Sequence, residues 1–275
     1  TATPIPRTLT ITYYGDMDVS RLIEKPAGRK PIDTRILPLA RLAEVTEALK
    51  RKIKSGEKTY WVCPLIEESE VIDLAAATER FESLKKILGV SKVRLVHGRM
   101  KVPERDAAMR DFIEGEADIL VATTVVEVGV DVKAATLMII EHAERFGLSQ
   151  LHQLRGRVGR SDAPSSCLLL YQEPLGQVAK ARLKMMRQTN DGFLIAEEDL
   201  RLRGPGEMLG ARQSGMPEFK IADLALHHDL LLAARDDAKL ITSKDAHLKT
   251  PRGNALRHLL YLFQYDKMIP TLRSG

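Results

Sequence analysis

The alternation of strand-like and helix-like segments constrains the fold of this chain most. Short apolar runs rich in β-branched and aromatic residues predict strands, at residues 8–14, 60–65, 93–96, 118–123, 137–140 and 166–171. Between them, apolar residues recur at helical spacing, at residues 39–54, 71–88 and 103–113 and in a segment that ends near residue 153. Strands that alternate with helices of this length predict right-handed crossovers and a parallel α/β sheet covered on both faces.

Composition narrows the class of protein further. The 275 residues are 44% apolar and 29% charged, which is typical of a globular protein of one or two domains. The net charge of +5 weakly favours a polyanionic partner. Cys63 and Cys167 lie in strand-like runs and are predicted to be reduced core residues. No apolar run approaches the roughly 20 residues that a membrane span needs, so we expect a cytoplasmic protein without a membrane partner.

Loops at the carboxyl ends of parallel strands are the usual place for ligands. Residues 96–100 (VHGRM) and residues 122–132 (ATTVVEVGVDV) each follow a predicted strand, and an arginine-rich segment at residues 150–162 follows the helix behind another. We expect all three at one edge of the sheet. Thr123 and Thr124 could hold a phosphate, and Asp131, close to Gly129, could accept hydrogen bonds from a ribose. Taken singly, each also fits a helix cap, a turn or a surface residue.

The arginine-rich segment reads QLHQLRGRVGRSD. A basic turn would account for it, but its spacing is specific: residues 153, 156, 157, 159 and 160 match the Q-x-x-G-R-x-G-R motif of superfamily-2 helicases, and the chain resembles the second motor lobe of that family. Glycine permits close backbone approach, and arginine offers a permanent charge to phosphate oxygens. The resemblance implies that Arg157 and Arg160 are catalytic arginine fingers. Arg155 is predicted to be structural or to face DNA.

The same resemblance assigns further roles. It implies that Gly129, Asp131 and Gln153 bind ATP, and that Arg99, Thr123 and Thr124 contact DNA. The first residues, TATP, match the motif that ends the first motor lobe, which gives Thr1 and Thr3 a coupling role. Because the chain starts there and without methionine, we expect it to be a piece of a longer protein.

A phosphate-binding loop is expected outside this chain. No Gly-Lys dipeptide occurs, and residues 55–59 (SGEKT) lead from a helix into a strand, the reverse of the order that such a loop requires. Residues 137–144 (LMIIEHAE) could pass for a magnesium-binding strand, but by the resemblance they belong to the second lobe, so Glu141 is interpreted as structural or interlobe. The main residues for ATP and Mg²⁺ are expected in the missing first lobe. We predict no metal site here and no hydrolysis by this chain alone.

The remaining residues narrow the resemblance to the RecG family of bacterial branch-migrating DNA helicases. Residues 60–70, 95–132 and 144–161 carry it, and residues 191–224 are similar to the translocation motif that this family shares with the transcription–repair coupling factor. By that likeness Arg203, Arg212 and Gln213 couple the nucleotide cleft to movement on DNA, although a glycine–proline turn is the simpler interpretation of RGPGE alone. The pattern changes to helices and glycine-rich loops after about residue 176. The implied domains are a connector (1–35), a RecA-like lobe (36–175) and a helical C-terminal region (176–275).

The resemblance implies the second motor lobe of an ATP-dependent DNA helicase that remodels stalled forks and Holliday junctions in recombination and repair. Its expected partners are branched DNA with duplex arms and the missing N-terminal wedge and first lobe. Alternatives are the motor lobe of a transcription–repair coupling factor or a noncatalytic nucleic-acid-binding module. A dinucleotide-binding enzyme is disfavoured, since no G-x-G-x-x-G follows a strand. His227, His228 and Asp229 are predicted to be surface or capping residues, because adjacent helical residues point about 100° apart.

Overall fold

The computed structural model describes residues 29–64, 70–89, 92–123, 132–203, 221–222 and 227–264. The strands are β1 Asp33–Pro38, β2 Lys58–Val62, β3 Val93–Val96, β4 Ile119–Ala122, β5 Ala135–Ile140 and β6 Ser166–Tyr171. The helices are α1 Leu42–Lys54, α2 Glu70–Leu88, α3 Val102–Glu114, α4 Leu148–Arg155, α5 Gln177–Gln188, α6 Gly192–Arg203, α7 His228–Lys244 and α8 Pro251–Leu262. The described residues form two compact units, and the division falls within α6, between Asp199 and Leu200.

The first unit is built on one parallel sheet. Its strand order is β1-β6-β5-β2-β4-β3, and all five neighbouring pairs are parallel. The predicted parallel α/β sheet is therefore confirmed. One strand was missed: β1 pairs with β6 along its whole length, from Asp33 opposite Ser166 to Pro38 opposite Tyr171. The strand predicted at residues 8–14 lies outside the described residues.

The two faces of the sheet bury alternate residues, as the two-residue period of a strand requires. On one face, Trp61 of β2 and Ile139 of β5 pack in an apolar cluster with Val45 and Leu49 of α1. On the other face, the ring of Tyr60 lies 5.0 Å from that of Phe112 in α3. Helices on both faces give the three-layer α/β/α arrangement of a RecA-like lobe.

The prediction that Cys63 and Cys167 are reduced core residues is confirmed. Trp61 and Met186 are fully buried, and Cys63 and Cys167 are buried free thiols. Burial raises the pKa of both thiols, that of Cys167 to about 12. Both cysteines therefore stay protonated and serve as small apolar core residues.

The second unit contains a tight connection between α7 and α8. The carboxylate of Asp245 accepts hydrogen bonds from the backbone of Lys249 and from both the backbone and the hydroxyl of Thr250. Thr250 caps α8 by accepting from the backbone of Gly253 at 3.1 Å.

In the part of the chain that the structure describes, no helix combines the length and apolar character needed to cross a membrane.

Candidate functional site

The arginine segment is presented by α4. This helix starts after Gly147, whose N–H donates to the side chain of Gln150 at 3.1 Å, and it buries Leu148, Leu151 and Leu154 completely. The helix ends at Arg155, and the chain then turns tightly, with the backbone of Arg157 donating to Leu154 at 3.0 Å. The apolar stripe of α4 thus fixes where the arginines leave the helix.

The charges of the two predicted fingers act on the same buried phenol. Burial raises the pKa of Tyr60 to about 12, and the positive charges of Arg157 and Arg160 oppose that shift. Arg160 is partly exposed, and its Nε donates to the carbonyl of Gly156 at 3.0 Å. Burial lowers the pKa of Arg160, the charge of Arg29 lowers it further, and Tyr60 opposes both. Two permanently charged guanidinium groups, three residues apart in the turn after α4, give this segment a positive charge that can act on an anion.

The arginine segment does not lie at the edge of the sheet that we expected. Gly159 has a φ of +71°, and a Cβ placed on it would approach the side chain of Ile32 at 3.0 Å and that of Ser165 at 3.8 Å. Ile32 and Ser165 directly precede β1 and β6, so the segment sits at the amino ends of the strands. The expectation was wrong because α4 is a crossover helix, which returns the chain across the sheet before the arginines begin.

Two of the predicted DNA contacts do share the carboxyl edge. Arg99 is exposed in the turn after β3, and Thr123 follows β4, with its backbone donating to Val96 at 3.2 Å. Thr123 is 1% exposed, and its hydroxyl has no hydrogen-bond partner among the described residues. His97, the residue directly after β3, has a pKa lowered by burial and then by the charge of Arg99, which Glu104 opposes. This edge offers a polar, partly positive surface.

Two independent family matches agree with this geometry. Residues 40–162 match the helicase conserved C-terminal domain, and residues 189–266 match domain 3, C-terminal, of the ATP-dependent DNA helicase RecG. The chain is 54% identical over 225 residues to the ATP-dependent DNA helicase RecG of Escherichia coli (strain K12). It is 48% identical over 258 residues to the protein of the same name in Bacillus subtilis (strain 168).

The chain belongs to the RecG helicase family. The two alignments cover 82% and 94% of this chain, but only 32% and 38% of the relatives, so the chain spans about a third of their length. A solved structure of RecG bound to a three-way DNA junction matches with a TM-score of 0.65 and 44% identity, over 83% of this chain and 29% of that one. The helicase Lhr of Mycobacterium smegmatis, at 19% identity and a TM-score of 0.51, over 70% of this chain and 26% of that one, shares the fold alone. The resemblance stated from the sequence is confirmed.

The structure describes only some of the other residues predicted from RecG-family motifs. Gln153 lies in α4 and is partly exposed, two residues before Arg155. Arg203 is the last residue of α6, and nothing is described of its side chain. The remaining predicted residues lie outside the described ones: Thr1, Thr3, Thr124, Gly129, Asp131, Arg212 and Gln213. Their assigned roles stay predictions.

Arg155 proves to be structural. It is 2% exposed, and its Nη1 donates to the carbonyl oxygens of Met186 at 2.7 Å and Thr189 at 2.9 Å. Nη1 also lies 3.4 Å from the hydroxyl of Thr34 in β1. Burial lowers the pKa of its guanidinium. Of the two roles predicted for Arg155, a DNA contact is excluded by this burial.

Glu141 is structural as well. It directly follows β5, is 6% exposed, and its carboxylate accepts from Arg80 of α2 at 2.5 Å and from the indole of Trp61 at 2.5 Å. The guanidinium of Arg80 also lies 5.6 Å from the centre of the Trp61 ring. The carboxylate therefore joins α2 to the carboxyl ends of β2 and β5.

His227, His228 and Asp229 were predicted to be surface or capping residues, and the structure describes the exposure of His227 and Asp229. His227 is the residue before the helix and is partly exposed, and Asp229 is exposed in its first turn. Within the described ranges, no three His, Cys, Asp or Glu side chains are grouped so that they could hold a metal ion. The sequence did not identify Asp199 as a neighbour of α4, because its contact with Ser149 joins residues 50 positions apart in the chain.

Proposed function

We propose that this chain is the second motor lobe and C-terminal region of an ATP-dependent DNA helicase that remodels branched DNA, such as stalled forks and Holliday junctions, in recombination and repair. The observation that carries the proposal is that Arg157 and Arg160 both lie in the tight turn directly after α4, on a lobe of the RecG family. The relatives are named ATP-dependent DNA helicases, and one solved relative is bound to a three-way DNA junction. We propose that this activity takes place in the bacterial cytoplasm, where such DNA is found.

The arginines would act by electrostatics. Negative charge on phosphate oxygens spreads as a γ-phosphoryl group is transferred, and a guanidinium fixed beforehand stabilises that charge without reorganisation. The hydrogen bond from Arg160 to Gly156 and the burial of the α4 leucines hold the segment in place. ATP and Mg²⁺ would be bound mainly by a first lobe outside this chain, with Gln153, Gly129 and Asp131 adding contacts from this side. ATP supplies the phosphoryl group when it is bound.

DNA would be held by its backbone at the opposite edge of the sheet. Arg99 is exposed and is suited to phosphate oxygens, which carry no sequence information. Thr123 is buried, so its hydroxyl would have to become exposed to add a contact. Thr124 would add a second hydroxyl. We also propose the division predicted from the sequence, with a connector to residue 35, the motor lobe at residues 36–175 and the translocation region beyond it. Branched DNA, an N-terminal wedge and the first lobe are the proposed partners.

The decisive variant is Arg160→Ala in the intact protein. We expect ATP turnover to fall by roughly 10³-fold while nucleotide affinity changes little, because the lost charge acts only in the transition state. DNA-stimulated ATPase rates and equilibrium binding of a nucleotide analogue measure the two quantities. Arg187→Ala, which removes an exposed arginine from the last turn of α5, is the matched control.

Three outcomes separate the possible functions. Turnover near the wild-type rate in Arg160→Ala would show that this arginine is not a finger. An equal loss of nucleotide binding would assign it to the ground state. An intact protein that binds DNA but hydrolyses no ATP would favour the noncatalytic module.

A further inference from the structure

Helix α4, which leads into the arginine segment, is held at both ends by the helices that follow the sheet. In its first turn, the hydroxyl of Ser149 donates to the carboxylate of Asp199 in α6 at 2.7 Å. In its last turn, Arg155 donates to the carbonyls of Met186 and Thr189 at the end of α5. The two anchors are six residues apart, which is most of the length of the helix.

Both anchors use charged groups that are buried. Asp199 is 1% exposed and Arg155 is 2% exposed. Burying a charged group is costly unless it is hydrogen-bonded, and charge-assisted hydrogen bonds are about twice as strong as neutral ones. Hydrogen bonds have a preferred direction, unlike apolar contacts, so these polar contacts fix the orientation of α4 as well as its position.

Arg155 also donates hydrogen bonds to backbone carbonyls at the end of α5. The last four carbonyls of a helix have no partner within it, and Met186 lies among them. Arg155 supplies donors there and reaches Thr189, the residue that ends α5. Its Nη2 lies 3.2 Å from the Nδ1 of His152, which holds the guanidinium against α4 itself.

We propose that Asp199 and Arg155 are positioning residues that join α4, α5 and residues 192–199 of α6, all within the first unit, into one rigid body. A helix fixed at only one end can pivot, whereas one fixed at both ends moves with its supports. Any displacement of Arg157 and Arg160 is then transmitted to residues 192–199, which begin the stretch predicted to couple the nucleotide cleft to movement on DNA. The inference rests on the proposed motor function for its consequence, but the clamp itself is a property of this chain.

The clamp is tested first by amide hydrogen exchange on the 275-residue chain. Removing either anchor, by Asp199→Ala or Arg155→Met, is expected to speed exchange by roughly 10-fold or more in residues 148–160 and 189–199 and to leave β2 and β4 unchanged. Ser149→Ala should also speed exchange in residues 148–160, and adding it to Asp199→Ala should change little more, because both variants remove the same hydrogen bond. Arg155→Lys should restore part of the protection. Arg187→Met is the matched control and should change nothing.

The mechanical consequence is tested in the intact protein. Asp199→Ala and Arg155→Met should lower kcat for ATP, leave KM unchanged, and lower the DNA unwound per ATP hydrolysed by roughly 5-fold or more. Exchange that is unchanged, or that rises equally in β2 and β4, would overturn the clamp. Faster local exchange with normal unwinding per ATP would overturn the transmission. A normal ATPase rate in Arg160→Ala would refute the motor function instead, and the exchange data would still decide the clamp.

Discussion

Buried charged residues have structural roles in this lobe that the sequence alone could not assign. Glu141 and Arg155 are charged residues within strongly apolar surroundings, and both turn out to be hydrogen-bonded at several points. The sequence allowed a functional role for each, since a buried structural charge and an exposed functional one look alike in a motif. What decides between them is the partner, and Arg80 lies 61 residues before Glu141.

The Arg80 and Glu141 pair gives a prediction at this scale. Glu141→Ala leaves the Arg80 guanidinium beside Trp61 without its carboxylate, and we expect the free energy of unfolding to fall by about 3 kcal/mol. This is the low end for buried pairs, because 21% of the Arg80 side chain remains exposed. Urea unfolding measures the change.

The control removes a pair of similar length from the surface. Glu47→Ala breaks the contact with Lys50 at 2.6 Å, but the Glu47 side chain is 65% exposed, so little change is expected. Equal losses in the free energy of unfolding for Glu141→Ala and Glu47→Ala would mean that the buried pair stabilises the fold no more than the surface pair does. Glu141→Gln should fall between the wild type and Glu141→Ala, since an amide oxygen can still accept from Trp61.

At the scale of helices and strands, the strands that are buried throughout were predicted correctly from the sequence. The central strands were predicted because they are apolar on both faces, and β2, β4 and β5 are buried throughout. β1 was missed because it lies at the edge of the sheet, where Asp33 and Arg35 are exposed and the segment resembles a connector. The motif spacing identified Arg157 and Arg160, but it could not give their edge of the sheet, which depends on the direction of α4.

The turn after α4 depends on one glycine. Gly159 has a left-handed φ of +71°, and an added Cβ would meet Ile32 at 3.0 Å. Gly159→Ala is therefore expected to lower the free energy of unfolding by about 1–2 kcal/mol from backbone strain alone. It should also displace Arg160, so ATP turnover of the intact protein should fall with it.

Gly176→Ala is the matched control for this glycine. Gly176 has a φ of −66° and no atom within 4 Å of the added Cβ, so alanine fits there without strain. Thermal or urea unfolding of both variants measures the difference. If Gly159→Ala is as harmless as Gly176→Ala, the left-handed turn does not constrain the segment.

At the scale of the whole molecule, the proposed function requires a motor lobe and the region beyond it to work together. The two family matches cover residues 40–162 and 189–266, and α6 starts in the second. Its contact with Ser149 through Asp199 joins that second region to α4 within the first unit. The sequence resemblance predicts that Arg203 and Gln213 belong to a translocation stretch, and the Ser149–Asp199 contact lies at the start of that stretch.

The last prediction tests that stretch in the intact protein. Arg203→Ala and Gln213→Ala should largely preserve ATP hydrolysis and reduce unwinding of a fork or junction by far more, because these residues would transmit the motion of the lobe and do not contact the γ-phosphate. Arg160→Ala should instead abolish both activities together. If residues 191–224 form only a packed turn, hydrolysis and unwinding should fall in step with a lower melting temperature. ATPase rate, unwinding and thermal stability measured on the same variants distinguish the two, and parallel loss of all three would refute coupling.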